Sequence, residues 1–267
     1  MSNQSFQNIN IVDNQHDHLF QTNNNLKKPI GTTTRSIITE YLQDYEIMTM
    51  PEETIAPWNL QDIKVCTQGS KYSKNTNQVI QRLAYLEHLN NTHKGNEHIY
   101  TDGSKTLQGV GFAAVLPSKV IKGTLHKDTS IYTAELTAIN AALIEIEKCP
   151  SKQWTIHTDS KSSIEAVLSL TGKHPIVSKI QTKLSRLKEK NYQVTLCKVP
   201  SHIGIEGNEK ADQEAKSTVN IPGYYNTYIP VEDLKQVATR LIRELWQERW
   251  NLQTAKLKEI RPTIQTW

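Results

Sequence analysis

Between residues 98 and 218 the spacing of apolar residues changes period in a fixed order, and that order limits the fold more than any other feature of the chain. Residues 98–102 (HIYTD) form a compact β-type run, Gly103 and Gly109 flank a turn, and 109–116 (GVGFAAVL) reads as a second strand. Pro117 and Ser118 connect it to a third strand over 119–126. Asp128, Thr129 and Ser130 are capping residues ahead of a helix over 131–148. A strand over 154–159, helices over 160–170 and 176–190, a strand over 193–199 and a helix over 206–218 complete the series. The order β-β-β-α-β-α-α-β-α predicts an α/β domain with a five-stranded mixed sheet. Its first three strands are antiparallel, and helices pack on it.

The flanks read differently. Residues 1–28 are rich in Asn and Gln with few aliphatics, so they bury too little surface to offset chain entropy. Four regions follow: a disordered tail at 1–30, a partly helical connection at 31–95, the α/β domain at 96–220, and a linker with a C-terminal helical extension at 221–267. Within the connection, Ile37, Ile38, Tyr41 and Leu42 suggest a short helix or strand, and Pro51 and Pro57-Trp58 break it. Val79, Ile80, Leu83 and Leu86 recur at helical spacing over 78–88. In the extension, Pro230 leads a helix over 231–252 striped by Leu234, Val237, Leu241 and Leu245, with Trp246 and Trp250 one turn apart.

Three separate cysteines, with no C-x-x-C pair, predict neither a zinc site nor a disulfide framework and fit a reducing compartment. The first residues lack the basic and apolar regions of a signal peptide, and no run of about 18 apolar residues occurs. An intracellular protein of the nucleus or cytoplasm is therefore expected. The net charge of +4 permits a polyanionic partner without requiring one.

Four acidic residues sit at telling places. Asp102 ends a strand in which Ile99 and Thr101 point the other way, and Asp159 ends another in which Trp154 and Ile156 are opposite in phase to His157 and Asp159. If these strands are neighbours, both carboxylates emerge at one edge of the sheet. Glu135 lies on the long helix on the side that carries Ala138 and Ala142, small enough for close approach to the sheet. Asp212 lies near the start of the last helix, among Ala211 and Ala215. Taken singly, each has a commoner role: a turn residue, a helix cap, an exposed helical acid. Together, and without Lys or Arg partners, they would repel one another until a divalent cation removed that cost. Mg²⁺ suits such a cluster because it prefers oxygen ligands and keeps waters, and a pair of ions can act on both oxygens of an in-line displacement at phosphorus.

The strings that carry these residues resemble a known family. IYTDGSK (99–105), TAEL (133–136), HTDSKSSI (157–164) and VPSHIGIEGNEKAD (199–212) are similar to the four signature segments of type 1 ribonuclease H, over about 120 residues. The resemblance implies the ribonuclease H-like fold and an endonuclease that hydrolyses the RNA strand of RNA–DNA hybrids, leaving 3′-hydroxyl and 5′-phosphate ends. It implies that Asp102, Glu135, Asp159 and Asp212 hold two Mg²⁺ ions, with Mn²⁺ as a substitute. It also implies that His202, in a loop loosened by Gly204 and Gly207, assists proton transfer or product departure. Asn208 is expected to cap the last helix. The pattern departs at Ile131 and Tyr132, where cellular members carry two Asn that touch ribose 2′-hydroxyls, so strand discrimination is expected to be looser or to rest on backbone groups. IPVEDL, ELWQERWN and KLKEIRPTIQTW, together with Pro57-Trp58, look like the flanks of ribonuclease H regions in non-LTR retrotransposon polyproteins. No Y-x-D-D polymerase motif occurs in this sequence, so a reverse transcriptase partner would be encoded elsewhere.

Lys179, Lys183, Arg186 and Lys190 form one face of the 176–190 helix and are candidates for phosphate contacts, as are the backbone at Gly103 and the hydroxyl of Ser104. Two other readings stand beside this one, the first from a different class. An inactive nucleic-acid-binding remnant of a retrotransposon would bind hybrid without cutting it. A nuclease or integrase of the same fold would cut duplex DNA equally well.

Overall fold

The computed structural model describes residues 45–52, 55–60, 63–67, 76–171, 174–219, 221, 225, 227–252, 256–260 and 262–263. The expected tail at 1–30 and the element around Ile37–Leu42 lie outside them. The described elements, in order, are β1 (Ile47–Met48), α1 (Pro57–Leu60), β2 (Lys64–Cys66), α2 (Gln78–Thr92), β3 (Glu97–Lys105), β4 (Val110–Val115) and β5 (Val120–Leu125). Then come α3 (Ile131–Ile146), β6 (Gln153–Thr158), α4 (Lys161–Leu168), α5 (Pro175–Glu189), β7 (Gln193–Lys198), α6 (Glu206–Thr218), β8 (Ile229–Pro230), α7 (Val231–Asn251) and α8 (Lys256–Ile260). Residues 45–237 fall in one compact unit, and the described residues from 238 onward fall in a second.

In the larger unit one sheet runs in the order β2-β7-β6-β3-β4-β5. Strands β3, β4 and β5 pair antiparallel, whereas β6 pairs parallel with β3 and β7, and β2 pairs parallel with β7. The expected mixed sheet is present with six strands rather than five. The extra strand, Lys64–Cys66, is too short to show a period of its own, and its backbone becomes a strand only by pairing along the open edge of β7.

The two faces of the sheet are covered by different helices. On one face, Ile99, Trp154, Ile156 and Leu196 pack against Leu136, Ile139, Leu143 and Ile146 of α3 and Val177, Ile180, Leu184 and Leu187 of α5. Each large side chain removed from water in this core contributes about 1.5–3 kcal/mol before chain entropy is counted. Ser130 starts α3, its hydroxyl accepting from Thr133 N at 3.1 Å. On the other face α6 lies against β3, β4 and β5. It comes so close that a Cβ on Gly111 would fall 2.4 Å from the carbonyl oxygen of Ala215.

The rest of that second face belongs to α2. The helix expected from the spacing of Val79, Ile80, Leu83 and Leu86 is present, but these four are exposed, and Gln81, Tyr85 and Leu89 are buried. Polar anchoring turns the helix. Tyr85 is fully buried, its hydroxyl lies 2.6 Å from His157 Nδ1, and His157 Nε2 lies 2.9 Å from His98 Nδ1. Tyr85 and Leu89 then close over Cys197, Val199, Ile203 and Ile205.

Beyond the sheet, β1 and β8 form a short parallel pair, and Asp233 near the start of α7 accepts from Ser130 N at 3.0 Å. In the smaller unit Gln247 Nε2 donates to Pro262 O at 3.0 Å, and Trp246 is exposed. Among the described residues no helix is long and apolar enough to cross a membrane.

Candidate metal centre

Three of the four acidic residues meet at the middle of the sheet. Asp102 lies on β3 and Asp159 follows the last residue of β6. Because Thr101 and Thr158 are in register on these parallel neighbours, the two aspartates that follow stand side by side. Side chains alternate along a strand, so both point to the face opposite Ile99 and Ile156. The strand carrying Asp102 runs on to Lys105 rather than ending at the aspartate.

Glu135 reaches the pair from α3, across Gly103. A Cβ on Gly103 would lie 2.7 Å from the backbone nitrogen of Glu135 and 2.9 Å from the Cβ of Ala134. Only a residue without a side chain lets α3 come this near to β3. The buried Ala134, Ala138 and Ala142 keep the helix close along its length. Carboxylate oxygens of Asp102, Glu135 and Asp159 all lie within 4.8 Å of one another.

The electrostatics are those of charges gathered without compensation. Burial, followed by the charges of Asp159 and Asp212, pushes the Asp102 carboxyl up to about 7, while Glu135 and Gly103 N–H moderate the rise. Gly103 N donates to Asp102 Oδ1 at 2.8 Å. Glu135 is raised well above the carboxylate range, by burial first and then by Asp102 and Asp159. Its Oε2 is buried with no hydrogen-bond partner. An orphaned, buried oxygen facing two further carboxylates fits a divalent cation, which supplies the missing partner and cancels the repulsion.

Asp212 stands apart from this trio. Its Oδ2 accepts from Lys216 Nζ at 2.7 Å, one helical turn on. The expectation that the four acids lack a basic partner therefore fails at Asp212, although its charge is near enough to act on Asp102. A second grouping forms at the same end of α6, where ligand atoms of His202, Glu209 and Asp212 lie within 4.8 Å of one another. His202 is exposed and has φ 54°, a left-handed backbone uncommon for a residue with a side chain. The cap of α6 is Ile205, which makes no side-chain cap bond, and not Asn208. Asn208 instead lies inside the first turn, buried, with Oδ1 unpartnered, because the helix starts three residues earlier than a cap at Asn208 requires.

The other candidates are spread more widely. Ser104 is buried on β3, on the same face as Asp102. On α5, Lys179 and Lys183 are half-buried, while Arg186 and the C-cap Lys190 are exposed. Lys190 pairs with Glu147, whose carboxyl is held low by Lys190 first and by Lys183 and Arg186 less strongly. This face is basic and shares part of its charge with Glu147.

An antiparallel β3-β4-β5 with β6 and β7 parallel beside it, two helices on one face and carboxylates at the centre of the sheet, defines the ribonuclease H-like class. Residues 94–220 match the family model described as RNase H. No curated protein matches the chain in sequence.

Proposed function

We propose that this chain is a divalent-metal-dependent endoribonuclease that cuts the RNA strand of RNA–DNA hybrids, leaving 3′-hydroxyl and 5′-phosphate ends. The observation that carries the reading is the cluster of buried Asp102 and Glu135 with half-buried Asp159, with an unpartnered Glu135 oxygen, inside the stretch that matches RNase H. Asp102, Glu135 and Asp159 would hold Mg²⁺, or Mn²⁺ in its place, and Asp212 would join them once Lys216 gives up its grip on the carboxylate. Two bound ions would supply Lewis acidity and an activated water.

The chain's own residues do the rest. Asp102 and Glu135 concentrate negative charge at one point of an otherwise basic molecule. His202, exposed in its loop near Asp212, would carry a proton to or from the scissile phosphate or speed product departure. Gly103 and Ser104 offer backbone and hydroxyl groups to the RNA strand beside the carboxylates. Lys179, Lys183, Arg186 and Lys190 on α5 contact phosphates farther along the duplex. With Ile131 and Tyr132 in place of an Asn pair, such backbone groups read the strand. The flanking strings support descent from a non-LTR retrotransposon polyprotein, with a reverse transcriptase as a partner encoded elsewhere.

Incubating RNA–DNA hybrid, duplex RNA and duplex DNA, each end-labelled, with the protein and Mg²⁺ tests the reading. Cleavage of the hybrid's RNA strand alone, stopped by EDTA, is expected. Hybrid retained but uncut points to a binding remnant, and duplex DNA cut equally well points to a different nuclease. His202→Ala is expected to lower turnover by about tenfold to a hundredfold while leaving measurable activity; an unchanged turnover number removes its role. Lys179→Gln with Lys183→Gln is expected to weaken hybrid binding several-fold and to flatten its salt dependence by about two phosphate contacts. An unaltered salt slope excludes α5 from the interface.

A further inference from the structure

A second set of ligand-type side chains meets on the sheet face covered by α2, outside the residues matched to RNase H. Cys66 on β2 and His88 and His93 at the end of α2 bring a sulfur and two ring nitrogens within 4.8 Å of one another. Cys66 Sγ lies 2.9 Å from His88 Nε2, and the two imidazoles meet edge to face with centroids 5.8 Å apart. Residues five apart do not share a face of a regular helix. His93 is the C-cap of α2, at φ −125° and ψ 20°, and this departure from the helical path lets its ring meet that of His88.

His93 carries the decisive observation. The residue is 9% exposed, and its Nε2 is buried with no hydrogen-bond partner. The neighbouring buried polar atoms are satisfied, as the Tyr85–His157–His98 chain shows. A single orphaned nitrogen beside a thiol and a second imidazole marks a missing partner. That partner must be attractive to one sulfur and two nitrogens. Mg²⁺ prefers oxygen, whereas Zn²⁺ takes Cys and His together.

We propose that Cys66, His88 and His93 form a structural zinc site that fastens the edge strand β2 and helix α2 to each other, with a solvent molecule completing a tetrahedron. Binding forms one Zn–S and two Zn–N bonds, the Cys66 thiol proton leaves to solvent, and nothing is oxidised or reduced. The site does not depend on the nuclease reading, since none of its ligands belongs to the acidic cluster. The separate cysteines gave no hint of it, because Cys66 and the histidines meet only through the fold. The competing chemistry is a disulfide with Cys197, which sits in register beside Cys66 on β7.

The test uses the full chain, purified without chelators. Elemental analysis is expected to find one zinc per chain. Exchange for Co²⁺ is expected to give a thiolate-to-cobalt charge-transfer band, which a carboxylate cluster cannot produce. Cys66→Ser removes that band, His93→Gln lowers metal retention tenfold or more, and Asp102→Asn leaves the band unchanged. Wild-type protein without zinc and without a cobalt band, a band that survives Cys66→Ser, or a Cys66–Cys197 disulfide in freshly prepared protein each overturns the proposal.

Discussion

Asp102→Asn is expected to lower hybrid cleavage by roughly a thousandfold or more and, at the same time, to raise the melting temperature of the metal-free protein. Both effects have one cause. Asp102 is 7% exposed, and burial, followed by the charges of Asp159 and Asp212, pushes its carboxyl up to about 7 from 3.8. Between those two values the folded protein keeps a proton that the unfolded chain releases, so wild-type stability drops as pH rises through that window. Above about 7 the full cost of the charge is present, on the order of 2–4 kcal/mol. Asparagine keeps the shape and drops the charge. The stability gap between variant and wild type should thus be small near pH 4, widen as the pH rises, and level off above about 7. Mg²⁺ should close the gap by stabilising only the wild type. Thermal melts of both proteins from pH 4 to pH 8, in EDTA and in Mg²⁺, check this. A variant less stable than wild type at pH 8 in EDTA would mean that the carboxylate is not strained.

Gly103→Ala should be the most damaging single-methyl change near the site. The added carbon would meet the backbone of Ala134 and Glu135 at 2.7–2.9 Å, and backbone atoms cannot swing away as a flexible side chain would. Either α3 lifts from β3 or β3 bends. Overpacking of this kind costs about 2–3 kcal/mol. Lifting α3 also carries Glu135 away from Asp102 and Asp159, and a displacement near 1 Å is enough for about a hundredfold loss of activity. Denaturant melts together with cleavage rates check both parts. Wild-type stability and wild-type rate in Gly103→Ala would show that the contact between α3 and β3 is looser than described and that Glu135 owes its position to something else.

The sequence carried some of these features openly and hid others for physical reasons. Asp102 and Asp159 were readable as neighbours because strand alternation fixes their phase, and pairing of β3 with β6 then sets them side by side. Glu135 was readable from the small residues that share its side of α3. The Lys216 partner of Asp212 sits four residues along the same helix and follows from helical spacing. Strand β2 could not be read, since three residues show no period and their pairing with β7 spans the chain. The helix α2 was readable from the spacing of Val79, Ile80, Leu83 and Leu86, but its buried face was not, because the contact that orients the helix is polar, from Tyr85 to His157. Local pattern reports what a segment can bury. It does not report a hydrogen bond to a residue 72 positions away.

Binding of Mn²⁺ to the full chain, followed by electron paramagnetic resonance, probes the acidic trio most directly. Wild-type protein should take up Mn²⁺, Asp102→Asn and Glu135→Gln should each lose most of that uptake, and Cys66→Ser should retain it. Uptake that is absent in wild type, or equal in all four proteins, would contradict a metal held by Asp102, Glu135 and Asp159.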